Sequence, residues 1–230
     1  HVSNVTGVVN DVKRVAKIAH DHGALTLIDG AQSVPHLPVN VKDLDVDFLA
    51  FSGHKMLGPT GIGVLYGKRE ILEEIEPFHG GGEMIREVSF NPVTRRCSIS
   101  WNELPWKFEA GTPNICGGIG LMEAVKYLKG VGMENVKTHE CNLTEYAMQH
   151  MQRLKKVKIY GPKEASMKCG IIPFNVDGLS SHDVALFLDN YGIMIRSGFH
   201  CAQPLHETLK LKSSARASFY IYNTREEIDR

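Results

Sequence analysis

The stretch from Val46 to Gly67 reads VDFLAFSGHKMLGPTGIGVLYG. It holds two short apolar runs, Val46 to Phe51 and Ile62 to Tyr66, the second bounded by Gly61 and Gly67. Runs of this length, punctuated by glycine, read as buried strands rather than helices. Between them lie Ser52, His54 and a single lysine, Lys55. In open α/β sheets, ligands bind in the crevice beyond the carboxyl ends of the strands. The first run therefore ends by delivering a hydroxyl, an imidazole and an amine to a place where a ligand would sit.

The pattern continues outward. Val12 to His22 reads as a helix, with Val12, Val15, Ala16, Ile18 and Ala19 on one face and Gly23 as its stop. Ala24 to Ile28 is another apolar run, ending at Asp29. A helix followed by three strand-like runs with short connections predicts an α/β layer with a mostly parallel sheet. Lys68 to Ile75 reads as helical. Gly80 to Pro105 is irregular, a mobile loop or a hairpin excursion. Long helices are expected over Ile115 to Leu128 and Glu134 to Leu154, the second polar enough to connect two domains. Strand-like runs follow at Val157–Tyr160, Gly170–Val176, Ile193–Arg196 and Ala215–Ile221. A helix from His182 to Tyr191, capped by Ser180 or Ser181, lies among them. Residues 1–133 are thus expected to form the C-terminal part of a large domain, and residues 134–230 a smaller α+β domain. Thr224 and Glu227 form a capping-box pattern close to the end.

Composition narrows the function classes. The 230 residues are 43% apolar and 23% charged, with 26 basic and 26 acidic side chains. That balance gives no reason to expect a nucleic-acid or membrane surface. Arg95 and Arg96, near Trp101 and Trp106, read as a dimer surface or an active-site flap rather than a base-stacking platform. No apolar run is long enough to span a membrane. The opening HVSNVTGVVN is neither a signal nor a transit peptide, and the chain is expected to begin inside a domain. The five cysteines, Cys97, Cys116, Cys141, Cys169 and Cys201, are odd in number and show no C-x-x-C spacing. A disulfide framework or a structural zinc site is not expected, and a reducing, cytoplasmic setting fits. All but Cys201 read as small buried apolar residues. His79, His200 and His206 match no familiar metal-ligand spacing.

Lys55 carries the chemistry. A lysine forms a Schiff base when it is held near a carbonyl and partly deprotonated. Small neighbours let the backbone approach a cofactor closely, and Ser52 and His54 can bind a phosphate. An isolated lysine of this kind is usually a surface turn residue, so a second feature is needed. Asp29 supplies it. A carboxylate at the end of a buried strand requires a cationic partner, and a protonated pyridine nitrogen is one. Gln32, three residues on, is placed to contact a ring hydroxyl.

Several stretches together resemble the fold-type I pyridoxal phosphate (PLP) enzymes of the class V aminotransferase group, and within it the Suf-type (group II) cysteine desulfurases. They are HVSNVTG (1–7), LIDGAQSVPH (27–36), FLAFSGHKMLGPTGIGVLYG (48–67), FEAGTPN (108–114), RSGFHCAQP (196–204) and RASFYIYNT (216–224). The resemblance implies an aspartate aminotransferase-like fold. It implies that Lys55 holds PLP covalently, Asp29 pairs with the pyridine nitrogen, and Gln32 contacts the ring hydroxyl. Ser52 and His54 would bind the phosphate. Thr112 would reach the cofactor of a neighbouring subunit, so a homodimer is expected. Asn4 would contact cofactor and substrate, and Arg216 the substrate carboxylate. Cys201 would be the nucleophile that receives sulfur from L-cysteine as a persulfide, with a histidine such as His200 assisting its thiolate. The sulfur would pass to a SufE- or SufU-like acceptor for iron–sulfur cluster assembly.

Two departures from the family's pattern stand out. Phe199 occupies the place of the first of two histidines before the nucleophile. The family's chain also extends well upstream of the residue that matches His1, and carries there the histidine that stacks on the cofactor ring. Three readings stay open on the sequence: a cysteine desulfurase, a selenocysteine lyase or other PLP-dependent lyase, and a truncated paralogue that only binds a partner.

Overall fold

A computed structural model describes residues 1–230. Helix α1 (Val12–Asp21) is capped by Asp11, whose side chain accepts from the Arg14 amide. It buries Val12 and Ala16 against Ile28, Val46 and Leu49. Strand β1 (Leu27–Asp29), short helix α2 (Val41–Leu44), strands β2 (Phe48–Ser52) and β3 (Gly63–Gly67), and helix α3 (Arg69–Glu74) complete this layer. The sheet order is β1-β2-β3. β1 runs parallel to β2, with Leu27 opposite Phe48 and Asp29 opposite Ala50. β3 returns antiparallel, with Ser52 opposite Gly63. The expected parallel pairing thus holds for β1 and β2 but not for β3. Residues 53–62 are too few for a parallel crossover, which needs a dozen or more. Two glycines, one in this connection and one opening β3, are sterically required. A Cβ at Gly63 would stand 2.6 Å from the Phe51 carbonyl oxygen, and one at Gly58 would stand 2.8 Å from that of Gly53.

A buried ion cluster ties the layer together. Asp47, 2% exposed, accepts from the Thr26 amide at 2.7 Å and the Thr26 hydroxyl at 3.0 Å. His20 Nε2 lies 2.8 Å and Lys68 Nζ 3.0 Å from the same carboxylate. Burial pushes the Asp47 carboxyl upward, but bonds from His20, Thr26 and Lys68 outweigh it and hold the group well below the usual carboxylate range. With its folded pKa below its unfolded one, Asp47 contributes full stability above about pH 4 and loses it as pH falls further. Asp47→Ala removes the buried acceptor shared by His20, Lys68 and the Thr26 amide and hydroxyl. In urea denaturation it should cost about 3 kcal/mol, and the difference from wild type should shrink below about pH 4.

The irregular segment proves to be a hairpin of β4 (Ile85–Asn91) and β5 (Arg96–Trp101), paired antiparallel. Helices α4 (Ile115–Val131) and α5 (Met133–Met151) follow, broken at Gly132 with φ of 85°. Then come β6 (Val157–Ile159), β7 (Ile171–Val176), α6 (Ser181–Asp189, capped by Ser180), β8 (Arg196–Gly198), α7 (Gln203–Thr208), β9 (Ser214–Ser218) and α8 (Arg225–Asp229). These strands form a sheet of order β6-β7-β9-β8 with every neighbour antiparallel. Ala147 and Met148 of α5 pack on Ile172 of β7, and Val184 of α6 on Phe174 and Ala215. The Thr224–Glu227 capping box is present at α8.

β9 stops earlier than its apolar run suggests, because the run continues into a different core. Tyr220 packs with Met56, Leu121, Leu128 and Val136, and its hydroxyl donates to the Pro35 carbonyl. Of the cysteines expected to be buried, only Cys169 is; Cys141 is half-buried, and Cys97 and Cys116 are exposed. Cys97 lies on the solvent-facing hairpin and Cys116 on the first turn of α4. No helix is long and apolar enough to cross a membrane.

Candidate active site

Because β1 and β2 run parallel, their carboxyl ends open on the same edge. Asp29 ends β1 and accepts from the Ala31 amide at 2.8 Å. Ser52 ends β2, and Lys55 follows in a single 3-10 turn, Gly53–Met56. Asp29, Ser52, His54 and Gly63 line one cleft. Gln32, His54, Lys55 and Arg216 line a second, of about 280 Å³. His54 borders both, so the two clefts are neighbours.

Arg216 enters the second cleft from β9. Its Nη1 donates to the Asn4 carbonyl at 2.7 Å, and its Nε is buried without a partner. Burial, and then the nearby Arg196 charge, pull its pKa down. A desolvated guanidinium with unused donors suits a planar carboxylate.

Cys201 lies in the loop between β8 and α7. His200 and Cys201 both have left-handed backbone, with φ of 52° and 61°. Two successive non-glycine residues in that region cost about 1–3 kcal/mol each. The loop is nevertheless held tightly. His200 is 2% exposed, and its Nε2–H donates to the Ser214 carbonyl at 3.0 Å. Asn4 Nδ2 donates to the His200 carbonyl at 2.7 Å. The next side chain along, Cys201, is thereby turned to solvent. Its sulfur lies 4.0 Å from Arg196 Nη2.

The expectation that His200 assists the thiolate is corrected by this geometry. Burial and the Arg216 charge lower its pKa to about 4, so the imidazole is neutral at pH 7 and anchors the loop. The cation beside the thiol is Arg196, which the sequence reading passed over. Phe199 sets its ring edge-on against His206 at 5.7 Å, where the family's usual histidine would stand. His206 in turn is bonded to the Ala202 carbonyl and the Ser214 hydroxyl.

Lys55, Gln32, His54 and Arg216 therefore meet on one cleft and Asp29, Ser52 and His54 on its neighbour. Cys201 stands beside them, joined through the Asn4 bonds to His200 and Arg216. Asn4 spends its amide on the Cys201 loop. Thr112 is apart from both clefts and exposed, in the segment before α4 that Asn114 ties to the Gly61 carbonyl at 3.2 Å.

The donor set suits pyridoxal phosphate: an amine for its aldehyde, a strand-end carboxylate for its ring nitrogen, and a hydroxyl and imidazole for its phosphate. The fold is the aspartate aminotransferase-like fold of PLP-dependent transferases. The chain belongs to the class V aminotransferase family, whose model matches residues 1–230. It is 54% identical over its whole length to a probable cysteine desulfurase of Halobacterium salinarum, covering 54% of that protein. Its fold matches the apo structure of the cysteine desulfurase of Thermococcus onnurineus, with a TM-score of 0.94 and 44% identity over 100% of this chain and 56% of that one. A C-DES mutant carrying glycine covalently linked to its PLP cofactor is more distant, at 26% identity and a TM-score of 0.82, over 100% of this chain and 57% of that one. The chain spans about half the length of the curated relatives it matches.

Proposed function

We propose that the protein is a PLP-dependent cysteine desulfurase that converts L-cysteine to L-alanine and holds the sulfur as a persulfide on Cys201. The observation that carries this reading is an exposed thiol on a strained, anchored loop, next to one arginine and tethered through Asn4 to a second arginine in the lysine cleft. A transaminase has no use for that thiol.

Lys55 would hold the cofactor through Nζ, Asp29 would keep the ring nitrogen protonated, Gln32 would contact the ring hydroxyl, and Ser52 and His54 would bind the phosphate. When bound, PLP supplies an electron sink for the bonds at the substrate Cα. Arg216, with Asn4 holding its guanidinium, orients the substrate carboxylate. Lys55 Nζ, once the substrate amine has displaced it, would take the proton from Cα. Arg196 Nη2 stands 4.0 Å from the Cys201 sulfur, which attacks as the thiolate. The Cys201 sulfur bonds to the substrate sulfur as the substrate's Cβ–S bond breaks. The electron pair stays with the carbon, which is protonated to give alanine, so the exchange needs no external oxidant.

Two further features belong to this reading. Ile115, Ile119 and Met122 form an exposed apolar stripe on α4, which supports a homodimer with Thr112 near the shared interface. The exposed Cys201 suits a SufE- or SufU-like acceptor, or the scaffold protein it serves, and the unpaired cysteines suit the cytoplasm. The packing of α5 on β7 supports a division near residue 133 into a larger and a smaller domain.

The full-length protein, loaded with PLP and given L-cysteine, should release alanine and, with a thiol reductant, sulfide in equal amounts. Pyruvate and ammonia in place of alanine would make it a β-lyase. Turnover of L-selenocysteine alone would make it a selenocysteine lyase.

A further inference from the structure

Below the Lys55 cleft lies a buried pair that the mechanism does not use. His36 Nδ1 stands 2.9 Å from Glu140 Oε1, with the side chains 13% and 3% exposed. The second carboxylate oxygen, Oε2, lies against Gly170 without a hydrogen-bond partner. The His36 ring meets Tyr220 edge-on, with centroids 4.7 Å apart. The imidazole is thus gripped from α5 and from the residues after β9. With Nδ1 committed to Glu140, Nε2 is the ring atom left to the cleft that His36 lines together with Gln32, Lys55 and Arg216.

His36 and Gln32 sit one turn apart. Val34 N donates to the Gly30 carbonyl at 2.9 Å and Leu37 N to the Ser33 carbonyl at 2.8 Å. This helix-like turn places residues four apart on the same side. A buried carboxylate persists only with a cation or a proton, and His36 is the group bonded to it. We propose that Glu140 and His36 are a positioning pair, which holds an imidazole and one shared proton against Gln32 and thereby sets the ionisation of the cofactor's ring hydroxyl. This rests on the cofactor reading above.

Lys55 and Arg216 share the cleft with His36, and other titratable groups pack around the pair. On α5, His139 is bonded to the Asn223 carbonyl. Before β7, burial pushes the Cys169 thiol up to about 12, and after β9 it pushes the Tyr220 hydroxyl up as well, so both are neutral. Lys137 and Lys168 line a second cleft together with Glu140 and His36. Burial raises Glu140 itself, with the His36 bond opposing.

The test is a pH titration of the bound cofactor's visible absorbance in the full-length holoenzyme, comparing wild type with Glu140→Gln and His36→Ala. Glu140→Gln keeps the volume and an acceptor for Nδ1 but removes the charge, so it should fold as wild type does. Breaking the pair should shift the midpoint by about one unit in both variants. In the cofactor-free protein, the ¹⁵N signals of the His36 ring should shift on Glu140→Gln. An unchanged midpoint in both variants, with lowered melting temperature alone, would show a purely structural pair and overturn the proposal. Freely exchanging His36 tautomers in wild type would overturn it too, whatever the absorbance does. If wild type shows no visible band while the His36 signals still report the pair, the cofactor reading has failed and this proposal fails with it.

Discussion

Lys55→Ala should remove the bound cofactor's visible band and lower alanine formation from L-cysteine by about 10⁴-fold, the upper range for one positioned proton-transfer group. The expectation follows from placement. Lys55 follows directly on β2 in a single 3-10 turn, and it is the lysine lining the cleft with Arg216. No other amine stands there to replace it. The variant should still fold, because Lys55 is half-buried and the neighbouring Met56, not Lys55, belongs to the core. The measurements are an absorbance spectrum and an alanine assay on the full-length protein. Turnover within tenfold of wild type would place the covalent attachment elsewhere.

Cys201→Ser should give a loss of similar size in alanine and sulfide, but with a different signature. The hydroxyl is a far weaker nucleophile toward sulfur than a thiolate. Lys55, Asp29 and Arg216 are untouched, so the cofactor band should persist. Exchange of the substrate Cα hydrogen with deuterated water should persist as well, because that step belongs to Lys55. The two variants therefore separate proton transfer from sulfur transfer. If exchange disappears together with sulfide, the thiol would be acting on the lysine cleft rather than on the substrate sulfur.

The parts of the site legible in the sequence are those built from local order. Asp29, Ser52 and Lys55 could be placed because each closes a short apolar run, and the β1–β2 pairing puts those closures on one edge. The parts that were not legible depend on distant partners. His36 and Glu140 are 104 residues apart, and His36 lies in a turn with no periodic signal. His200 looked available to its cysteine until Ser214, 14 residues later, claimed its ring. The β4–β5 hairpin is exposed along nearly all of both strands, so burial imprints no alternation on its sequence. The run at Ile193–Arg196 supplies apolar packing before the sheet begins, and the strand itself forms at Arg196–Gly198, where β9 offers a partner.

Asn4 bonds His200 across 196 residues and receives Arg216 across 212. Contacts of such separation close the largest loops in the chain, and their entropy is recovered only when most other structure is in place. The left-handed backbone that aims Cys201 outward is closed locally by the Ala202 amide on the Phe199 carbonyl, but its anchoring to the rest of the fold depends on those contacts. A growing or partly unfolded chain should therefore carry Cys201 as an ordinary thiol in a relaxed loop. On the proposed reading, sulfur chemistry would become available only at the end of folding, and a half-made chain would not be a source of loose persulfide.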